Sequence, residues 1–116
     1  MKIVHYSDLQ PTRFDNEAAK GINGRLLIGK KDGAPTFCMR FFELEPGGHT
    51  PRHAHDWEHE VFVHSGQGEA MADGEWTPIS SGCAVFVPGG LEHQFRNTGD
   101  EPLRFVCLIP SGPPEL

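Results

Sequence analysis

The sequence predicts a single all-β domain, built either as a sandwich or as a small barrel. Its 116 residues are close to the commonest size for one domain, and two domains of half this length would each be too small to bury a core. Fourteen glycines and ten prolines exceed the share found in average proteins, which indicates a chain that turns often. Short segments rich in β-branched and aromatic residues separate these turns, and this pattern argues against a helical bundle.

The strands are predicted in chain order from the segments that lie between turn signals. Asp73-Gly74 favours a type I′ hairpin between two of these segments. The only helix-like stretch covers residues 16–20 and is short enough to be a turn. The predicted strands are residues 1–6, 25–30, 36–45, 60–65, 68–72, 76–79, 84–87, 94–97 and 103–109.

Alternation along the two longest strands predicts which side chains face the core. Glu43 and Glu45 are expected to face solvent, and so is Arg104 in the last strand. Val106 and Leu108 then form an apolar strip on the outer face, which calls for a cover from the N-terminal strand or from a second subunit. The same alternation places inward Cys38, Arg40, Phe42 and Leu44 from one strand, and Leu103, Phe105, Cys107 and Ile109 from the other.

An inward arginine is the unusual member of this set. Burying an unpaired charge is costly. Arg40 is therefore predicted either to pair with a buried carboxylate or to face a ligand.

Charge and cysteine usage limit the possible partners and compartment. The net charge of −6 lacks the basic footprint of a nucleic-acid-binding protein. Cys38, Cys83 and Cys107 form no C-x-x-C pair, which favours reduced thiols and a cytoplasmic location. The N-terminus has no apolar signal segment and no window approaches 18 apolar residues, so neither secretion nor membrane insertion is expected.

Four of the seven histidines fall into two clusters with the spacing of metal ligands. His53 and His55 are two residues apart, so on a strand both imidazoles point to the same side. His59 and His93 can reach the same point from neighbouring strands. Imidazole is the commonest protein ligand for divalent transition metals, and the sequence therefore predicts a metal site. The other three histidines, His5, His49 and His64, are interpreted as surface or structural residues.

These clusters resemble the two motifs of the cupin superfamily, G-x5-H-x-H-x3-4-E-x6-G and G-x5-P-x-G-x2-H-x3-N. The first runs from Gly47 through His53 and His55 to Gly66, and the second runs from Gly82 to Asn97 with every defined position matched. The resemblance implies a double-stranded β-helix, or jelly-roll, barrel whose core covers about 36–110. It also implies a homodimer in which the N-terminal strand or strands, about 1–30, are exchanged.

His59 occupies the motif position that usually holds glutamate. The chain therefore looks like the compact single-domain cupins with four histidine ligands. Glu60 is the alternative for this position, but it leaves one residue too few before Gly66 and would turn Val61 outward. Glu60 and Glu58 are otherwise candidates for supporting the ligands or lining the entrance.

Beyond the ligands His53, His55, His59 and His93, four residues are predicted to line the pocket or to hold the ligands in place: Arg40, Glu60, Phe105 and Cys107. Four neutral imidazoles leave the full charge on the metal, which favours an anionic or chelating small-molecule substrate such as an enolate, a diketone or a hydroxy acid.

The resemblance implies a dioxygenase-type oxidoreductase that uses one Mn or Fe ion per chain. The first alternative is a non-redox lyase, isomerase or cyclase, for which Zn or Ni would suffice; Cu is a further possible metal. The second alternative is a binding module that takes up a small ligand without turnover.

Overall fold

Nine strands and two short 3-10 helices make up the regular structure of the computed structural model, which describes residues 1–116. The 3-10 helices are Tyr6–Asp8 and Lys30–Asp32. The strands are β1 Thr12–Phe14, β2 Lys20–Ile28, β3 Phe37–His49, β4 His59–Ser65, β5 Gln67–Ala72, β6 Glu75–Ser80, β7 Ala84–Val87, β8 His93–Asn97 and β9 Leu103–Pro110.

The strands form one antiparallel sheet that curls around a common core as an all-β jelly-roll barrel. The strand order is β6-β5-β8-β3-β9-β4-β7, and β2 pairs with β3 and with β1. β3 changes partner along its length, because Phe37 to Leu44 pair with β9 whereas His49 pairs with Arg96 of β8. Gly47, at φ 81°, lies between these two parts of β3. This single long strand therefore connects the two halves of the barrel.

The predicted alternation is confirmed along β9 and, in β3, for Cys38, Arg40 and Leu44. Two outward residues of β3 are nevertheless covered, since Phe41 is buried and Glu43 lies between Arg25 and Arg104. Leu44 and Leu103 are fully buried, and the inward residues of β9 are buried along the whole strand. The predicted hairpin is also present, since Asp73 and Gly74 both have positive φ, as a type I′ turn requires.

The N-terminal region differs from the prediction. Residues 1–6 form no strand; Tyr6 instead stacks on Phe41 of β3 at 4.3 Å between ring centroids, on the outer face. Residues 16–20 form no helix, because the Asn16 side-chain oxygen accepts the backbone N–H groups of Ala18 and Ala19 and closes a turn. β1 was not predicted.

β2 begins five residues earlier than the predicted strand at 25–30. Its two glycines lower the strand propensity of this segment, so propensity alone does not predict where the strand begins. Gly24 lies so close to Phe42 that an added Cβ would be 2.9 Å from that ring. A glycine that weakens strand propensity is thus required here by packing.

The outer face of the sheet carries exposed aromatic side chains. Phe62 of β4 and Phe86 of β7 are 52% and 62% exposed. Val106 of β9 is directly opposite Phe62, which continues the apolar surface across the sheet. No helix of this structure combines the length and the apolar character needed to cross a membrane.

Candidate metal centre

Three histidine side chains converge at one end of the barrel in an arrangement that could hold a metal ion. Donor atoms of His53, His55 and His93 all lie within 4.8 Å of one another. His59 joins this group, since its Nε2 is 2.8 Å from Nε2 of His55. Two nitrogens bound at right angles to one ion, each at about 2.1 Å, would be about 3 Å apart, so this spacing fits neighbouring ligands of a single centre.

Backbone pairing brings together histidines that are far apart in sequence. His53 and His93 form an isolated antiparallel bridge, with both backbone N–H groups donating to the opposite carbonyl at 3.2 and 2.9 Å. Gly90 donates its backbone N–H to the carbonyl oxygen of His55 at 2.7 Å. The second motif thus holds the loop that carries the first two histidines.

Hydrogen bonds orient two of the imidazoles toward the centre. His55 donates from Nδ1 to the Trp57 carbonyl oxygen at 2.9 Å, and its ring stacks on the Trp57 indole. His93 donates from Nδ1 to the Leu91 carbonyl oxygen at 2.8 Å. Because a carbonyl can only accept, the proton of each neutral ring is on Nδ1 and the Nε2 lone pair is free to bind a metal.

Burial keeps three of the four histidines neutral, as metal ligands must be. Burial, with the nearby His93 and His55 rings, lowers the pKa of His53 to about 4. Burial and the Arg40 guanidinium lower the pKa of His59 to about 3. The pKa of His93 is also lowered by burial. At neutral pH these nitrogens therefore have free lone pairs.

A cavity of about 340 Å³ adjoins the histidines, and its walls are mainly aromatic and apolar. Phe105 packs at its base between Phe42 and Phe95, with ring centroids 5.7 and 5.2 Å away. Trp57 and Phe14 extend the aromatic lining. The volume and character of this cavity are those of a small-molecule site.

Arg40 is the only charged side chain that lines the cavity. It is 9% exposed and forms no ion pair, and its Nε has no hydrogen-bond partner. Its Nη2 instead lies 3.0 Å from Cys107 Sγ and 3.3 Å from His59 Nδ1. Of the two alternatives for Arg40, pairing with a buried carboxylate is therefore wrong, and the guanidinium faces the cavity.

Phe105 and Cys107 line the cavity, whereas Glu60 does not. Glu60 directly follows His59 on β4, so alternation directs it to the exposed outer face. A pocket role for Glu60 is thus not supported; its pKa is raised by partial burial and by the adjacent Glu58. Phe42 and Phe95 also line the cavity, and Phe95 is at the same time part of the buried core, whereas Phe86 is exposed.

Sequence reasoning missed the cavity residues that come from irregular segments. Pro114 and Leu116 line the cavity from residues 111–116, which we call the C-terminal strap. Glu115 of the strap accepts the backbone N–H of Lys30 at 2.8 Å. Asn16 and Ala19, in the turn before β2, line the cavity as well. None of these segments has a periodic pattern, so only the Asn16 turn chemistry offered a signal.

Comparison with known proteins places these features in a family. A family model described as a cupin domain matches residues 40–109. The structure of the polyketide cyclase RemF from Streptomyces resistomycificus superposes with a TM-score of 0.90 at 35% identity, covering 98% of this chain and 82% of that one.

Two curated relatives are named for other functions. An oxalate-binding protein from Thermotoga maritima is 28% identical over 111 residues, 92% of each chain. A 1-methylthio-D-xylulose 5-phosphate methylsulfurylase from Rhodospirillum rubrum is 37% identical over 71 residues, which is 61% of this chain and only 46% of that protein. These relatives differ in what they do, so the likeness alone does not select a reaction.

Proposed function

Because the chain belongs to the cupin family, we propose that it is a metal-dependent enzyme that closes a ring in an enolisable, oxygen-rich small molecule. The observation that carries this proposal is the aromatic cavity of about 340 Å³ that adjoins both the histidines and the unpaired Arg40. The likeness to a polyketide cyclase over 98% of the chain supports the same reaction class.

His53, His55, His59 and His93 would hold one divalent transition metal ion. Such an ion polarises substrate oxygens as a Lewis acid and stabilises an enolate. The neutral imidazoles leave its charge undiminished, and the cavity lining contains no aspartate or glutamate. An anionic or chelating substrate is therefore favoured over a cationic one.

The side chains of the cavity would orient the substrate and exclude water. Phe42, Phe95 and Phe105 offer flat apolar surfaces for a conjugated chain. Arg40 can donate a hydrogen bond to an oxygen on which negative charge develops, in a site where little water competes.

Ring closure needs no oxidant. A carbon–carbon bond forms between the enolate carbon and a carbonyl carbon of the same molecule. The proton lost from the first carbon is taken up by the oxygen of that carbonyl, and loss of water completes an unsaturated ring. The dioxygenase reaction that the family resemblance implied remains a prediction, and it differs from ring closure because it consumes dioxygen and requires a redox-active Mn or Fe ion.

The test uses 1-phenylhexane-1,3,5-trione, an aryl triketone, with protein loaded separately with zinc, manganese or iron, in air and under nitrogen. We expect mass spectrometry to show loss of one water from the probe with zinc and under nitrogen, and NMR to identify the product as 5-phenylresorcinol, closed through carbon, instead of the isomeric 4-pyranone, closed through oxygen. Product formation should fall by about 100-fold or more in His53→Ala, because losing a ligand removes the Lewis acid. The matched control is His64→Ala, on the outer face.

Oxygen incorporated from labelled dioxygen, with no reaction under nitrogen, would contradict ring closure and favour the dioxygenase. Tight binding of the probe without any product would favour the binding module. Equal metal content in His53→Ala and the wild type would overturn the assignment of the site itself.

A further inference from the structure

The Nδ1 atom of His59 has surroundings unlike those of His55 and His93. His59 is the first residue of β4 and is 7% exposed. Its Nε2 faces His55, while its Nδ1 lies 3.2 Å from Cys107 Sγ and 3.3 Å from Arg40 Nη2. No backbone carbonyl is hydrogen-bonded to this nitrogen.

The pairing of three strands produces this contact. Arg40 of β3 and Cys107 of β9 are directly opposite each other, and Cys107 is opposite Val61 of β4 on its other side. His59 lies two residues before Val61, so its side chain is on the same inner face and reaches Cys107 diagonally. Arg40 then donates from Nη2 to Cys107 Sγ at 3.0 Å.

Hydrogen-bond chemistry gives Cys107 and Arg40 opposite effects on His59. If Nε2 of a neutral His59 is to bind a metal, the ring proton must be on Nδ1, and this N–H needs an acceptor. A guanidinium has donors only, so Arg40 cannot accept this proton and instead favours the other tautomer. The sulfur of Cys107 is the acceptor within reach.

We propose that Cys107 is a positioning residue that accepts the Nδ1–H of His59 and so holds Nε2 in the form that binds the metal. Arg40 fixes the thiol by donating to the same sulfur. This inference rests on the proposed metal site. It extends the role of Cys107 from lining a cavity to selecting the tautomer of one ligand.

Removal of the sulfur leaves Arg40 as the only group hydrogen-bonded to Nδ1. The ring of His59 would then carry its proton on Nε2, where it blocks metal binding. Changes to groups that orient metal ligands typically cost 10- to 100-fold in affinity. We expect a loss of about this size in Cys107→Val, whereas Cys107→Ser keeps an acceptor and should remain within about threefold of the wild type.

The experiment measures cobalt(II) affinity by chelator competition in the wild type, Cys107→Val and Cys107→Ser. Cys38→Val is the matched control, since Cys38 is also a buried thiol, on the inner face of β3, but Nδ1 of His59 is hydrogen-bonded to Cys107 and Arg40 and not to Cys38. Nitrogen-15 NMR of the zinc-loaded wild type reports the tautomer directly, and we expect the His59 proton on Nδ1.

The possible results separate this inference from the proposed function. Wild-type affinity in Cys107→Val, or an equal loss in Cys107→Ser, would overturn the positioning role while leaving the metal site intact. A wild type that binds no cobalt or zinc would overturn the proposed function itself. If Cys107→Val fails to fold, the wild-type spectrum still decides: a His59 proton on Nε2 in the zinc-loaded protein contradicts the proposal.

Discussion

His59 is a histidine that the fold keeps uncharged, and this has a thermodynamic consequence for the metal-free protein. Burial and Arg40 lower its pKa to about 3, whereas the pKa of a histidine in an unfolded chain is near 6.5. Between these values the unfolded state binds more protons than the folded state. The contribution of neutral His59 to the free energy of unfolding is therefore complete above about pH 6.5, and it is lost as the pH falls toward the folded-state pKa.

Replacing His59 with glutamine should flatten this dependence, because glutamine does not titrate. Below about pH 6.5, His59 contributes up to about 1.4 kcal/mol per pH unit to the fall in unfolding free energy. Urea unfolding of metal-free protein at neutral pH and at about pH 4 checks this, with His64→Gln as the control. An equally steep fall in His59→Gln and the wild type would contradict it.

At the scale of elements, the connections between strands are fixed by close backbone approaches as well as by turn type. Gly66 joins β4 to β5 at φ 94°, and an added Cβ would be 2.4 Å from the Pro102 carbonyl oxygen. Gly74 has a similar φ of 86°, but an added Cβ would meet nothing within 4 Å. A side chain at position 74 would thus meet only the strain of a left-handed backbone, whereas a side chain at position 66 would also clash with Pro102.

We expect Gly74→Ala to lower the free energy of unfolding by about 1 kcal/mol, the cost of a left-handed conformation. Gly66→Ala carries the same strain and also forces the chain away from Pro102, for a total of about 2 to 4 kcal/mol. Urea unfolding of both variants measures the difference. Equal losses would show that backbone conformation alone explains the glycine at position 66.

The elements that the sequence predicted best are those in which one face is buried. In β9, alternation identified the inward Phe105 and Cys107, because a slip of one residue would expose the whole apolar face. The interior position of Arg40 followed from the same rule. The contact between Cys107 and His59 was beyond the sequence, since it depends on the register between β4 and β9.

Segments held by long-range contacts were predicted least well. Tyr6 is fixed by stacking on Phe41, and the C-terminal strap by hydrogen bonds from Ser111 to the carbonyl oxygens of residues 35 and 36 and from Lys30 to Glu115. None of these contacts leaves a local pattern in the sequence. Motif spacing and strand alternation therefore predicted the metal ligands and the cavity residues that lie on strands. They did not predict the cavity residues that come from irregular segments.

At the scale of the whole molecule, the outer face exposes large apolar side chains to solvent. Phe62 and Phe86 lie on adjacent strands, on the same outward side. Ile3, in the N-terminal segment, is also exposed. We expect a second copy of the chain to cover this surface, because exposed apolar patches on a sheet face are typical of protein–protein contacts.

Two charged side chains introduced into this apolar surface should dissociate the dimer. Sedimentation equilibrium is expected to give a dimer for the wild type and a monomer for the double variant Phe62→Glu, Phe86→Glu, since two buried carboxylates would have no partners. Thr77→Glu, on the exposed side of β6, is the matched control. A monomeric wild type would rule out this assembly.

The C-terminal strap has a kinetic consequence for whatever occupies the cavity. The backbone N–H of Ser111 donates to the Thr36 carbonyl oxygen. Beyond Ser111 the strap pairs with no strand, and only the hydrogen bond from the Lys30 backbone N–H to Glu115 holds it. Detaching Pro114 and Leu116 from the cavity breaks none of the ladder hydrogen bonds. We therefore expect an occupant to exchange by local opening of the strap, without global unfolding of the barrel. Greater thermal stability of the barrel need not slow release.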